Sequence, residues 1–130
     1  MMGRSETLQD KLQIFHRAFN HPIGLAYDKP SAMMSAQKNL RRRLIQEEFD
    51  EVMDAIKSKS DDEVLKELCD LVYVCVGFAV TYGWAFDTAF NRVHTSNMSK
   101  LDKDGNAIFR EDGKVIKSDC YKPPKLKDLV

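Results

Sequence analysis

Four acidic residues in two pairs carry the spacing most able to do chemistry. In Glu47-Glu48-Phe49-Asp50-Glu51, Glu48 and Glu51 are three residues apart, and Glu47 and Glu51 four. In Glu67-Leu68-Cys69-Asp70, Glu67 and Asp70 are again three apart. On a helix such residues project from one face. The intervening break, Ser58 to Glu63, centres a turn near Lys59: Glu51 and Glu67 each lie eight residues from it, and Glu48 and Asp70 eleven. In an antiparallel helical hairpin, equal steps from the turn mean equal height, so the tiers are expected about 12 Å and about 16 Å from it. Carboxylates converging there repel unless a cation lies among them. Hard divalent cations take oxygen ligands, and magnesium commonly takes carboxylates together with substrate phosphates. Manganese is the natural substitute.

Helical acids are more often a solvated face, and residues 44–70 carry ten acids against three lysines. Asp70 argues against that bland reading. It is followed at once by the apolar run Leu71 to Val80, so its helix is entering the core, where a carboxylate needs a partner. No basic partner is expected for it on its own helix, and Lys66 is placed about a hundred degrees around the helix from Glu67.

The elements that must position these acids are helical. Leu8, Leu12, Phe15 and Phe19 predict a first helix over residues 5–19 with Ser5 as N-cap, and His16 lies beside that stripe. Pro22, Gly24 and Pro30 mark a loop from Asn20 to Pro30. A second helix is expected from Ser31 to Ser58, capped by that serine, with its stripe on Met33, Ala36, Leu40, Leu44, Phe49, Val52 and Ile56. Ser60 or Asp61 caps a third that ends near Tyr82 before Gly83, apolar nearly all round from Leu71 and so the most buried element. A fourth spans about Ala85 to Asn97. Turn signals at Lys103-Asp104-Gly105 and Glu111-Asp112-Gly113 flank Ala107–Phe109 and Val115–Ile116, predicting a β-hairpin before an extended tail at Pro123 and Pro124. The expected fold class is all-α: one domain over residues 1–130, with a helical core at about 5–98 and the hairpin and tail at about 99–130.

Composition narrows the function classes. The formal net charge is zero, which argues against a nucleic-acid polymer or a membrane surface as partner. The longest apolar stretch is too short to span a bilayer, and the N-terminus lacks the pattern of a secretory signal. Three cysteines without metal-ligand spacing suggest reduced thiols in the cytoplasm. Since the third helix is apolar on every side, partner helices are expected to cover it in a homo-oligomer, a dimer or a dimer of dimers.

ExxE followed by ExxD on the next helix resembles the MazG-like all-α nucleotide pyrophosphohydrolases, which include dimeric dUTPases and phosphoribosyl-ATP pyrophosphohydrolase. The likeness extends to Phe15-His16-Arg17-Ala18-Phe19, to the run Arg41 to Glu48, to Glu67-Leu68-Cys69-Asp70-Leu71-Val72-Tyr73, and to the Asn-x-x-Lys segment within Val93 to Leu101. Gly113 to Lys117 and the prolines after it look like the compact phage and gene-cassette subgroup.

The resemblance implies a four-to-five-helix bundle that hydrolyses a nucleoside triphosphate, most naturally a deoxynucleotide, to the monophosphate and pyrophosphate, for cleansing of the nucleotide pool. It implies magnesium on Glu48, Glu51, Glu67 and Asp70, with Glu47 contacting a second metal or taking the proton from the attacking water, and Glu48 beside it in the catalytic set. Asn97 and Lys100 would contact nucleotide or phosphate, although by spacing alone they read as a helix C-cap and a cation suited to the helix dipole. Arg43 would aid the triphosphate, while Phe15, His16 and Tyr73 would meet the base. Lys114 or Lys117 would reach in from a hairpin lid, the alternative being a solvated hairpin. Trp84 reads as a packing anchor or subunit contact. Two other functions remain open: hydrolysis of phosphoribosyl-ATP, and a non-enzymatic helical interaction module whose acids are only a solvated face.

Overall fold

The computed structural model describes residues 4–25 and 31–130, with the Ser31 side chain left aside. Among these described residues lie four helices and one two-stranded antiparallel hairpin: α1 (Leu8–Ala18), α2 (Ser31–Ser58), α3 (Asp61–Tyr82), α4 (Phe86–Met98), β1 (Ile108–Phe109) and β2 (Val115–Ile116), then a short 3-10 turn at Lys127–Leu129. This is the expected all-α bundle with a C-terminal hairpin. The chain divides into two compact units, Met1–Phe86 and Asp87–Val130.

In the first unit α2 and α3 form an antiparallel hairpin and α1 lies along α3. The α1 cap is Thr7, two residues later than Ser5: the Thr7 hydroxyl accepts from the Asp10 backbone N–H, and the Asp10 carboxylate accepts from the Thr7 N–H. That reciprocal pair satisfies two otherwise orphaned donors and outcompetes a lone serine. α3 begins after Ser60, whose side chain makes no capping bond, and acids at Asp61, Asp62 and Glu63 face the positive end of the helix dipole. It ends at Gly83, left-handed at φ +72°, whose N–H reaches back to the carbonyls of Ala79 and Val80. The N–H groups of Gly24 and Leu25 donate to the Val80 and Thr81 carbonyls, which ties the preceding loop to the end of α3. The rest of that loop and the Ser31 cap lie outside the described residues.

The core is smaller and more polar than the stripes suggest. Leu12, Val76 and Val80 form its centre with Phe86 against them, and full burial of each such aliphatic side chain contributes about 1.5–3 kcal/mol. Leu8 and Phe19 of the α1 stripe are exposed, and His16 fills the core position instead. On α2 the buried positions are Arg41, Val52 and Ala55, while Phe49 and Ile56 face out. The α2 face that meets α3 is thus the one carrying Glu48, four residues before Val52 and seven, or two helical turns, after Arg41. α3 is buried only from Val76 onward; Leu65, Leu68, Val72 and Tyr73 are exposed. Among the described residues, no helix is long and apolar enough to cross a membrane.

The second unit holds α4 beyond Phe86, the hairpin and the tail. Ile108 pairs with Ile116 and Phe109 with Val115. The tail is fastened to α4 by the Ser96 hydroxyl donating to the Lys122 carbonyl (2.7 Å) and by a two-pronged ion pair from Arg92 to Asp128 (2.6 and 3.0 Å). An Arg–carboxylate fork of this kind fixes direction as well as distance.

Candidate metal centre

The helical hairpin brings Glu48 and Glu51 of α2 against Glu67 and Asp70 of α3. One ligand atom from each of the four lies within 4.8 Å of the others. Glu48, Glu67 and Asp70 are half-buried and Glu51 is exposed, so the group opens to solvent on one side. The four acids that the equal-step argument sets opposite one another do converge.

The electrostatics are those of a site short of positive charge. Partial burial raises the pKa of Glu48 above the usual carboxylate value, helped by repulsion from Glu51, by a hydrogen bond that protonated Glu48 gives to Glu51, and by the charges of Asp70 and Glu67. The Oε2 atoms of Glu48 and Glu67 are buried and make no hydrogen bond. A buried carboxylate oxygen without a partner is costly. Two of them, on members of the four-acid group, fit the all-oxygen donor set of a hard divalent cation.

Asp70 is not without a basic neighbour, contrary to the expectation from sequence. Lys66 stands four residues before it on α3, and its Nζ lies 2.7 Å from Asp70 Oδ2 and 3.4 Å from Glu67 Oε1. An i,i+4 step is a helical repeat, so the side chains meet. The Asp70 hydrogen bond and charge, reinforced by Glu67, hold the Lys66 ammonium above its ordinary pKa. A cavity of about 460 Å³ adjoins the cluster on the side of the turn, lined by Glu51, Asp54, Lys59, Glu63, Lys66 and Glu67 among others.

Two helical turns beyond the acids on both helices, seven residues before Glu48 and seven after Asp70, lies a second polar layer, of which sequence reasoning picked out His16 but missed Arg41. Arg41 is 4% exposed, and its Nε and Nη2 make no hydrogen bond. Burial lowers its pKa. His16 is 1% exposed, and its Nδ1–H donates to the Pro22 carbonyl at 2.9 Å, since that carbonyl can only accept. Burial lowers the pKa of His16, the Pro22 bond partly opposing and Arg41 and His21 adding to the fall. Gly77 makes room for both: a Cβ there would sit 3.3 Å from His16 Nε2 and 3.4 Å from Arg41 Nη1. The seven-residue interval was the available signal, masked by the neighbouring arginines. Of the run Arg41 to Arg43, only Arg41 turns inward; Arg43 is exposed.

The remaining sequence-derived residues are distributed as follows. Glu47 is exposed beside Glu48 and outside the four-carboxylate group. Tyr73, one turn after Asp70, meets the edge of Phe15 at 5.2 Å between centroids, and Phe15 also stacks on His21 at 5.8 Å. This aromatic surface adjoins an apolar groove of about 270 Å³ between α1 and α3, lined by Leu8, Leu12, Leu68, Val72 and Val76. Trp84 packs on Phe78 and Tyr82, as a packing anchor should. In the second unit, Asn97 is exposed in the last turn of α4 and Lys100 is half-buried, its backbone N–H donating to the Asn97 carbonyl at 3.1 Å. Lys114 is exposed, and the Lys117 Nζ lies 4.5 Å from the centre of its own unit's Tyr121 ring.

Residues 12–97, about two thirds of the chain, match the sequence model of the phosphoribosyl-ATP pyrophosphohydrolase family. The chain belongs to this family of all-α, MazG-like pyrophosphohydrolases. The matched span includes α1 from Leu12 onward, all of α2 and α3 and nearly all of α4, and with them every acid of the centre. An uncharacterized protein of Acanthamoeba polyphaga mimivirus is 28% identical over 105 residues, covering 80% of this chain. The chain spans 39% of the length of that relative. The four carboxylates are thus a plausible divalent-cation centre on a pyrophosphohydrolase fold.

Proposed function

We propose that the chain is a magnesium-dependent pyrophosphohydrolase that cleaves a nucleoside 5′-triphosphate between its α and β phosphorus atoms, releasing pyrophosphate. The observation that carries this reading is the convergence of Glu48, Glu51, Glu67 and Asp70 within 4.8 Å, with two buried oxygens that lack hydrogen-bond partners. These four residues hold the cation, for which manganese substitutes. When bound, divalent metal sets positive charge against the phosphate oxygens and makes the attacking water more acidic. Glu47, exposed and outside the ligand group, takes the proton from that water. Phosphoryl transfer asks little covalent chemistry of a protein, so no nucleophilic side chain is required. Tyr73, Phe15 and His21 offer ring faces and edges for a base, one helical turn from Asp70. His16, being buried, supports that surface from beneath. Arg43 contacts phosphate, and for Asn97 and Lys100 the same role rests on the family resemblance alone.

Two substrates carry the required anhydride. The family match favours phosphoribosyl-ATP, the substrate in the family's own description. The likeness to compact phage and gene-cassette proteins favours free deoxynucleoside triphosphates and cleansing of the nucleotide pool. Pyrophosphate release from phosphoribosyl-ATP and from a panel of ribo- and deoxynucleotides separates them: turnover confined to phosphoribosyl-ATP assigns the first, and turnover confined to free nucleotides the second. No turnover with either leaves the interaction-module reading. The exposed apolar residues Leu65, Leu68 and Val72 support a homo-oligomer, and three free thiols support a reducing, cytoplasmic setting.

A further inference from the structure

The carboxylate cluster already holds one positive charge. Lys66 Nζ sits 2.7 Å from Asp70 Oδ2 and 3.4 Å from Glu67 Oε1, touching two of the four acids. It also lines the cavity of about 460 Å³ beside the cluster. Its side chain is 65% exposed, so nothing packs it in place and it can swing on its four-carbon stem. A divalent cation entering among the acids must take oxygen electrons that this ammonium now shares. A lysine released there would stand at the mouth of the same cavity, beside acids whose charge the metal has offset.

We propose that Lys66 is the site's resident counter-ion: it competes with the incoming divalent cation for Asp70 and Glu67, and once displaced it turns to the substrate's phosphates. This rests on the metal-dependent phosphate chemistry proposed above and adds a role for a residue outside the ligand set. No bond is made or broken in the exchange. Lys66 acts as a positioning residue in the metal-free protein and as a phosphate contact in the loaded one.

The two halves of the proposal give effects of opposite sign, which neither a structural lysine nor a simple phosphate ligand would produce. In Lys66→Met the competitor is gone, so metal binds more tightly. A unit charge about 5 Å from a dication in water-like surroundings, screened by salt, corresponds to roughly three- to tenfold in affinity. Pyrophosphate binding to the metal-saturated variant loses a charge-assisted contact and weakens by roughly three- to tenfold. Lys66→Arg retains the charge and stays near wild type in both measurements.

The test is isothermal titration in two stages on the full chain: manganese or magnesium alone, then pyrophosphate into metal-saturated protein, for wild type, Lys66→Met and Lys66→Arg. Tighter metal together with weaker pyrophosphate in Lys66→Met supports the proposal. Metal affinity that is unchanged or weaker, or pyrophosphate affinity that is unchanged or tighter, overturns it while leaving the metal centre intact. Wild type that binds neither metal removes the centre itself, and the proposal with it. A matching melting temperature for Lys66→Met keeps misfolding from imitating either result.

Discussion

In metal-free protein, Glu48→Gln is expected to stabilise the fold. Glu48 shares a space 4.8 Å across with three other carboxylates. Two unit charges about 5 Å apart repel by roughly 0.8 kcal/mol even at the dielectric constant of water. Lys66 offsets part of this at Asp70 and Glu67, leaving Glu48 under a net repulsion of about 1–2 kcal/mol once ionised. The sign with pH follows from its raised pKa. A carboxyl whose folded pKa lies above its unfolded one contributes stability that is fully present below the unfolded value, about 4.3, and is lost as pH rises through the folded value. Wild type and Glu48→Gln should therefore melt together near pH 4 and separate as pH rises toward neutrality. At pH 7.5 in chelator the variant should melt higher by roughly 3–10 °C. Magnesium or manganese should reverse the order, because wild type keeps four ligands and the variant three. Differential scanning calorimetry across pH, with and without metal, reads all of this. A variant that melts at or below wild type at pH 7.5 without metal would refute the picture of four mutually repelling acids.

Gly83→Ala should be strongly destabilising. The residue is left-handed at φ +72°, and a Cβ would lie 2.9 Å from the Gly24 Cα, so strain and a backbone clash combine to cost about 2–4 kcal/mol, read as a fall in denaturant midpoint. Lys100→Ala should lower kcat/KM by one to three orders of magnitude, roughly 1.4–4 kcal/mol, with little change in melting temperature. If it melts several degrees lower and turns over normally, Lys100 returns to the role of a helix-end cation.

Much of this was legible in the chain, for identifiable reasons. The period of α3, the break at Ser58 to Glu63 and the glycine at position 83 are local signals, and together they put the four acids at matching heights. Polar burial was less legible. Arg41 and His16 occupy places that hydrophobic periodicity reserves for aliphatic side chains, and only the bare Cα of Gly77 makes room for them. The outward Phe49, Ile56, Leu65 and Val72 mislead in the opposite sense, because an apolar residue marks a face without saying what covers it. Lys66 shows a third limit. Its i,i+4 relation to Asp70 was available from numbering, but the weight given to its neighbour Glu67 hid it. The α1 boundary moved because Thr7 and Asp10 cap each other, a two-residue signal stronger than the lone Ser5.

The measurement nearest the central claim is product analysis in ¹⁸O-labelled water, by mass spectrometry, for wild type and Asp70→Asn with magnesium and with chelator. The account predicts pyrophosphate and a monophosphate as the first products, with one new oxygen in either the monophosphate or the pyrophosphate, from magnesium-loaded wild type. It predicts no turnover in chelator and less than about a tenth of the wild-type rate in Asp70→Asn, a barrier increase above ~1.4 kcal/mol. Orthophosphate as the first product, or an Asp70→Asn enzyme as fast as wild type, would contradict it.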